Sequence, residues 1–122
     1  MTYVERHIEA IADTDRLYRR IPIVSFNPDG TVNSAAFKRN NKPDPSISVD
    51  LEWFTTAEET LTRGATGRFG IGSLVAAAPR QLGFSVRHAP ASGNWSHSLI
   101  EGQNSREMCR RLAETVQVII RP

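Results

Sequence analysis

The sequence predicts an α+β fold: a single α+β domain over residues 1–122, with a mixed or mainly antiparallel sheet of about six strands and three or four helices. Three observations carry this expectation. Several short segments alternate apolar and polar residues with period two, as half-buried strands do, and only a few show the three-to-four-residue apolar spacing of an amphipathic helix. The two kinds of segment do not alternate strictly along the chain, which argues against a doubly wound parallel sheet. The 122 residues, 39% hydrophobic and 23% charged, suffice for one core without a disulfide or metal, and no repeat or long linker divides them.

Residues 3–12 set Val4, Ile8 and Ile11 on one side, with Glu5, Arg6 and Glu9 away from it; this predicts an amphipathic helix ended by Asp13-Thr14-Asp15. Leu17-Tyr18-Arg19-Arg20-Ile21-Pro22 predicts a short strand, since aromatic and branched residues favour the pleat and proline stops further pairing. Asn27-Pro28-Asp29-Gly30 is a turn. Ser34 is expected to cap one helical turn over residues 35–39, and two prolines make residues 40–45 a polar loop. Ser46–Leu51 carries apolar residues at 47, 49 and 51 and predicts a half-buried strand whose polar face is Ser46, Ser48 and Asp50.

Thr55 or Thr56, followed by Glu58 or Glu59, forms a capping box for a helix from Ala57 to Thr62 or Arg63. Phe69–Val75 predicts a third strand, its glycines marking a bulge or a close backbone approach. Residues 77–83 read as one helical turn, with Pro79 near its start and Gly83 ending it. Residues 84–88 and 96–100 predict a hairpin-like pair of strands. Asn104 is expected to cap a helix over residues 105–115, whose stripe is Met108, Cys109, Leu112, Ala113 and Val116. Residues 116–120 close the chain as a strand; Val118-Ile119-Ile120 is expected at the sheet centre, because an exposed apolar edge invites pairing with a second copy.

The net charge of +2 is unevenly spread: residues 1–61 carry 7 basic and 10 acidic side chains, residues 62–122 carry 8 and 3. The second half is thus the one to face an anionic partner, and 13 of the 15 basic residues are Arg, suited to bidentate contact with phosphate or carboxylate. No run approaches the ~20 apolar residues of a membrane span, and residues 1–6 have no basic region followed by an apolar stretch, so a cytoplasmic protein that does not engage a membrane is expected. The lone cysteine, Cys109, excludes an intramolecular disulfide and, with His7, His88 and His97, offers no zinc spacing; no metal and no cofactor is expected. On its apolar stripe, Cys109 reads as core rather than as a nucleophile.

The densest chemistry lies in His88-Ala89-Pro90-Ala91-Ser92-Gly93-Asn94-Trp95-Ser96-His97-Ser98. Two imidazoles can share acid and base roles or grip an anion, provided both face one side of the sheet. Otherwise His88 ends a strand, His97 bonds the loop and Trp95 packs as a lid. Residues 63–72 are Gly-rich and basic and offer backbone N–H groups to a phosphate, but they lack the ending of a P-loop and lead from a helix into a strand, so an ordinary connection is expected. Arg19 and Arg20 alternate across a strand, so one points inward or lies at an edge; beside the Ser48 face it would form an anion pocket, unless it pairs with Asp50. Glu101, at a strand end, is placed either as a catalytic carboxylate or as a solvated residue.

One set of segments, Leu17-Tyr18-Arg19-Arg20-Ile21-Pro22, Asp29-Gly30-x-Val32, Ala36-Phe37, Ile47-Ser48-Val49-Asp50, Val86-x-His88-x-Pro90 and Asn94-x-Ser96-His97-x-x-Ile100-x-Gly102, spans residues 17–102. It resembles a group of small stand-alone bacterial proteins of uncharacterised function. The resemblance implies a bacterial, intracellular setting and one compact domain, carries over no catalytic assignment, and marks Arg19, Ser48, Asp50, His88, Asn94 and His97 as site candidates. A second likeness is to the ADP-ribosyltransferase superfamily, whose members use an Arg or His in an early strand, a Ser-rich second strand and a Glu on a late strand. Arg19, Ser48 and Glu101 fall in that order, although the chain is short for that fold and the family's other signatures have no place in it.

Three functional expectations follow. The first is a non-enzymatic module that binds a protein partner or a small anionic ligand through Arg19, Ser48, Asp50, Asn94 and His97. The second is a nucleotide-directed enzyme for ADP-ribosyl transfer or phosphodiester chemistry, with His88 and His97 as acid and base, Arg19 as anion anchor and Glu101 as a candidate carboxylate. The third is nucleic-acid binding through Arg80, Arg87, Arg106, Arg110 and Arg111.

Overall fold

All six strands expected from alternation form in the computed structural model, which describes residues 8–38, 46–64 and 67–122. They are β1 (Arg16–Pro22), β2 (Ser46–Leu51), β3 (Phe69–Val75), β4 (Ser85–His88), β5 (His97–Glu101) and β6 (Gln117–Ile120). Three helices accompany them, α1 (Ala57–Thr62), α2 (Ala77–Gln81) and α3 (Arg106–Glu114). The strands make one sheet in the order β4-β5-β2-β1-β3-β6, and every ladder in it is antiparallel. The fold is thus α+β.

Alternation gives the sheet two unlike faces. Leu17, Ile21, Ile47, Val49, Leu51, Leu74, Val86 and Ile100 are buried, and they join Cys109, Leu112 and Ala113 of α3 with Ala36 and Phe37 in one cluster. Each such Leu or Ile contributes about 1.5–3 kcal/mol by leaving water. The opposite face carries Tyr18, Ser48, Asp50, Ser73 and His97, brought together by the pairings of Tyr18 with both Asp50 and Ser73 and of Asp50 with His97. Helix α1 lies against β1 and β3 on this face, where Ser48 is exposed. Thr56 caps α1 by accepting from the Glu59 N–H, as the capping box predicts.

Four local expectations are corrected. Residues 8–12 are not helical. Their polar groups bond elsewhere: the Glu9 N–H donates to His88 Nδ1, and the Ala12 N–H donates to the Asp15 carboxylate. The part of that expected helix before residue 8, and the loop 40–45, lie outside the described residues. The turn at 34–37 is a 3₁₀ turn capped by Asn33, whose side chain accepts from the Ala35 N–H, so Asn33 and not Ser34 does the capping. Likewise Ser105 caps α3, and Asn104 instead donates its amide to the Phe37 carbonyl.

The fourth correction concerns β6, which is an edge strand rather than a central one. It pairs with β3, and of its apolar residues Ile119 is the most exposed, at 46%. An edge this short is blunted as natural edges are: it has four residues, Arg121 follows with its guanidinium on the Gly30 carbonyl, and Pro122 comes next. Its approach to β3 depends on Gly72, where an added Cβ would sit 2.5 Å from Val116 Cγ1 and 2.8 Å from Ile21 Cδ1.

Candidate functional site

Strands β1 and β2 share only two registered pairs, Leu17 with Leu51 and Tyr18 with Asp50, whereas β1 and β3 share seven. Beyond Tyr18 a side chain takes over from the ladder. Arg19 donates Nε to the Ala36 carbonyl at 3.0 Å and Nη1 to the Ser48 carbonyl at 2.7 Å, with its guanidinium over the Phe37 ring. A strand carbonyl normally served by a neighbouring backbone N–H is here served by an arginine. At this junction opens a cleft of about 570 Å³, lined by residues of β1, β2, α1, the β4–β5 loop and the start of β5.

All five residues expected to bind a ligand, Arg19, Ser48, Asp50, Asn94 and His97, line this cleft. Their parts differ. Asp50 is only 6% exposed, and it accepts from Thr60 Oγ1 at 2.8 Å, Arg63 Nη1 at 2.8 Å and Asn94 Nδ2 at 2.9 Å. It ties β2 to α1 and to the β4–β5 loop, so it shapes the cleft rather than presenting a charge to it. Asn94 is oriented in turn, because its Oδ1 accepts from both the N–H and the hydroxyl of Ser96.

His97 is held in one tautomer. Its Nδ1 lies 2.7 Å from the Ala89 carbonyl oxygen, which can only accept, so the proton sits on Nδ1. In the neutral ring Nε2 is then the acceptor, and the Ser48 hydroxyl, 3.2 Å away, donates to it. Tyr18 lines the same cleft; burial, and then the neighbouring Glu52 carboxylate, raise its phenol above the ordinary value.

Sequence reasoning missed Arg20 as the cation on this face. Its guanidinium lies over the Phe69 ring and donates to the Thr60 carbonyl, and its stem passes where a Cβ on Gly64 would come within 2.6 Å of Cδ. The signal was present, since Arg20 shares the alternation of Tyr18 and Pro22. Arg63, expected only as part of the Gly-rich stretch, reaches the cleft through Asp50, while the glycines after it connect α1 to β3. Ala65 and Thr66 of that stretch lie outside the described residues.

The two histidines do not converge. His88 pairs with Ser98, which places Ala89 opposite His97 and puts consecutive residues 88 and 89 on opposite faces of the sheet. His88 is 2% exposed, stacks on Phe54 and meets Trp95 edge-on; Nδ1 accepts from the Glu9 N–H and Nε2 donates to the Trp95 carbonyl. Glu101 sits at the far end of β5 from His97, where Arg87 and the Ser46 hydroxyl bind its carboxylate.

The arginines of the nucleic-acid reading are largely engaged: Arg80 with Asp13, Arg87 with Glu101, Arg110 with Glu107 and Glu114, Arg111 with Glu107. Among the described residues no three His, Cys, Asp or Glu side chains gather as a metal site, and no helix is long and apolar enough to cross a membrane. Burial raises the Cys109 thiol above its ordinary value. No family model, curated protein or solved structure matches this chain.

Proposed function

We propose that the chain binds a small anionic ligand in the cleft between β1, β2, α1 and the β4–β5 loop. One observation carries this reading: two guanidinium groups, Arg20 and Arg63, line the cleft against a single carboxylate, Asp50. Asp50 is shared with Arg63 in an ion pair at 2.8 Å, which leaves the balance positive. A volume of about 570 Å³ suits a small molecule, and Tyr18, Ser48 and His97 add polar contacts at fixed positions. A cytoplasmic setting accords with a lone cysteine that is buried as a thiol.

Calorimetric titration with phosphate, glutarate and a nucleoside monophosphate tests the reading. At least one should bind saturably, with an affinity that weakens as salt rises. Arg20→Gln should weaken that affinity by roughly 10- to 100-fold, the effect of a lost charge-assisted hydrogen bond, with little change in thermal unfolding. Binding by none of the three, or binding indifferent to Arg20→Gln, would refute it.

A further inference from the structure

Building on anion binding in this cleft, we propose that Ser48 is a nucleophile and His97 its general base, and that the site hydrolyses small carboxylic esters bearing a second negative charge. The Ser48 hydroxyl donates to His97 Nε2 at 3.2 Å, within the reach a serine–histidine pair needs before substrate arrives. The opposite nitrogen, Nδ1–H, is fixed by the Ala89 carbonyl at 2.7 Å, so a main-chain oxygen takes the orienting place that a carboxylate holds in a serine–histidine–aspartate triad. That oxygen is itself immobile, because the Ala89 N–H donates to the His97 carbonyl at 3.0 Å and the two residues pair across the hairpin.

The surroundings support the same chemistry. Ser48 lies at the middle of the Ser46–Asp50 run that pairs with β5, so the hydroxyl rides on a rigid element, and it is exposed to the cleft. The Arg19 guanidinium, bonded to the Ser48 carbonyl oxygen at 2.7 Å and to the Ala36 carbonyl at 3.0 Å over the Phe37 ring, fixes the Ser48 backbone from the other face of the sheet. Arg20 lies on the same face as the Ser48 hydroxyl and supplies the counter-charge for the second anionic group of the substrate.

The steps balance without a cofactor. Ser48 Oγ attacks the ester carbonyl carbon and its proton passes to His97 Nε2. As the tetrahedral intermediate collapses, the carbon–oxygen bond to the alcohol breaks and Nε2 returns the proton to the leaving oxygen. Water then attacks the acyl-serine, His97 again accepting and returning a proton, so that ester and water give acid and alcohol with Ser48 regenerated. A neutral orienting group steadies an imidazolium less than a carboxylate does, which points to esters with a good leaving group.

The experiment pairs three measurements on the intact chain. Wild type is treated with a fluorophosphonate and mapped by mass spectrometry; hydrolysis of mono-4-nitrophenyl glutarate is compared with that of neutral 4-nitrophenyl butyrate; and glutarate binding to wild type is measured by calorimetry. The expected result is phosphonylation at Ser48, preference for the anionic ester, loss of both activities in Ser48→Ala, and a fall of roughly 10²- to 10⁴-fold in His97→Ala. Thermal unfolding of each variant separates loss of chemistry from loss of fold. No label at Ser48, or equal hydrolysis by wild type and Ser48→Ala while glutarate binds, overturns the nucleophile and leaves the binding reading standing. Labelling at Ser48 without glutarate binding or charge preference overturns the anionic substrate class instead.

Discussion

Replacing Asp50 by asparagine tests whether one buried carboxylate holds the cleft together. The change is nearly isosteric but leaves one acceptor oxygen where three donors converge: Thr60 Oγ1, Arg63 Nη1 and Asn94 Nδ2. With its oxygen toward Thr60 and Arg63, the new amide nitrogen faces the Asn94 amide nitrogen. Asn94 cannot turn over in response, because its Oδ1 is already committed to Ser96. In the other orientation the nitrogen faces the Arg63 guanidinium.

Either way a hydrogen bond to a charged acceptor, worth about 1.5–3 kcal/mol, is lost, and a donor near the buried Asp50 position is left unpaired. The ion pair itself adds little, at most about 1 kcal/mol, since the Arg63 side chain is 29% exposed. A total near 3 kcal/mol lowers the Tm of a chain this size by about 10 °C. Thermal unfolding followed by circular dichroism at neutral pH reads the shift, with Arg63→Gln alongside and expected to lower Tm by about 4 °C or less. A shift under about 3 °C for Asp50→Asn, or equal shifts for the two variants, would refute the account.

Gly72→Ala should destabilise by about 1–3 kcal/mol in urea unfolding, because the added methyl meets Val116 and Ile21 side chains packed in the core; no change would mean the β3–β6 approach is looser than described. Gly64→Ala should lower anion affinity about tenfold, since the added methyl comes within 2.6 Å of Arg20 Cδ and displaces its stem, and calorimetry should show a smaller loss than for Arg20→Gln. Cys109, its thiol raised by burial, should resist a disulfide reagent at pH 8 and react once denaturant unfolds the chain; prompt native reaction would contradict its place in the core. Hydrogen bonds from Arg110 and then Arg111 lower the Glu107 carboxyl below its ordinary 4.5, so its stabilisation is complete above that value and is lost as pH falls through the folded value. Unfolding curves of wild type and Glu107→Gln should therefore converge below pH 4.5, and a constant gap would oppose the sign.

Strands were legible wherever one face is apolar, and the Ser46, Ser48 and Asp50 face emerged from alternation alone. Asp50 was recognised as a site residue, but its role was not, because its partners Thr60, Arg63 and Asn94 come from segments joined only in three dimensions. The separation of His88 from His97 follows from hairpin register, which residue types do not set. Where two capping residues adjoin, as at Asn33-Ser34 and Asn104-Ser105, propensity alone does not choose between them, and the chain uses the first in one case and the second in the other. Residues 8–12 have helical spacing but find backbone partners in His88 and Asp15, an override that no local pattern records. The C-terminal strand misled because its apolar run suggested pairing on both sides, whereas its shortness and its Arg-Pro ending suffice to guard an edge.

The two-rung junction between β1 and β2 makes the sheet mechanically two sheets: β4-β5-β2 on one side and β1-β3-β6 on the other, riveted by the Arg19 guanidinium. Amide exchange is expected to show its weakest protection within the sheet along this junction. A ligand held between Arg20 of one block and the Ser48–His97 pair of the other acts as a clasp across that line. If the proposed binding holds, occupancy of the cleft would slow amide exchange along this junction, and the guest would be read out in the backbone between the two blocks.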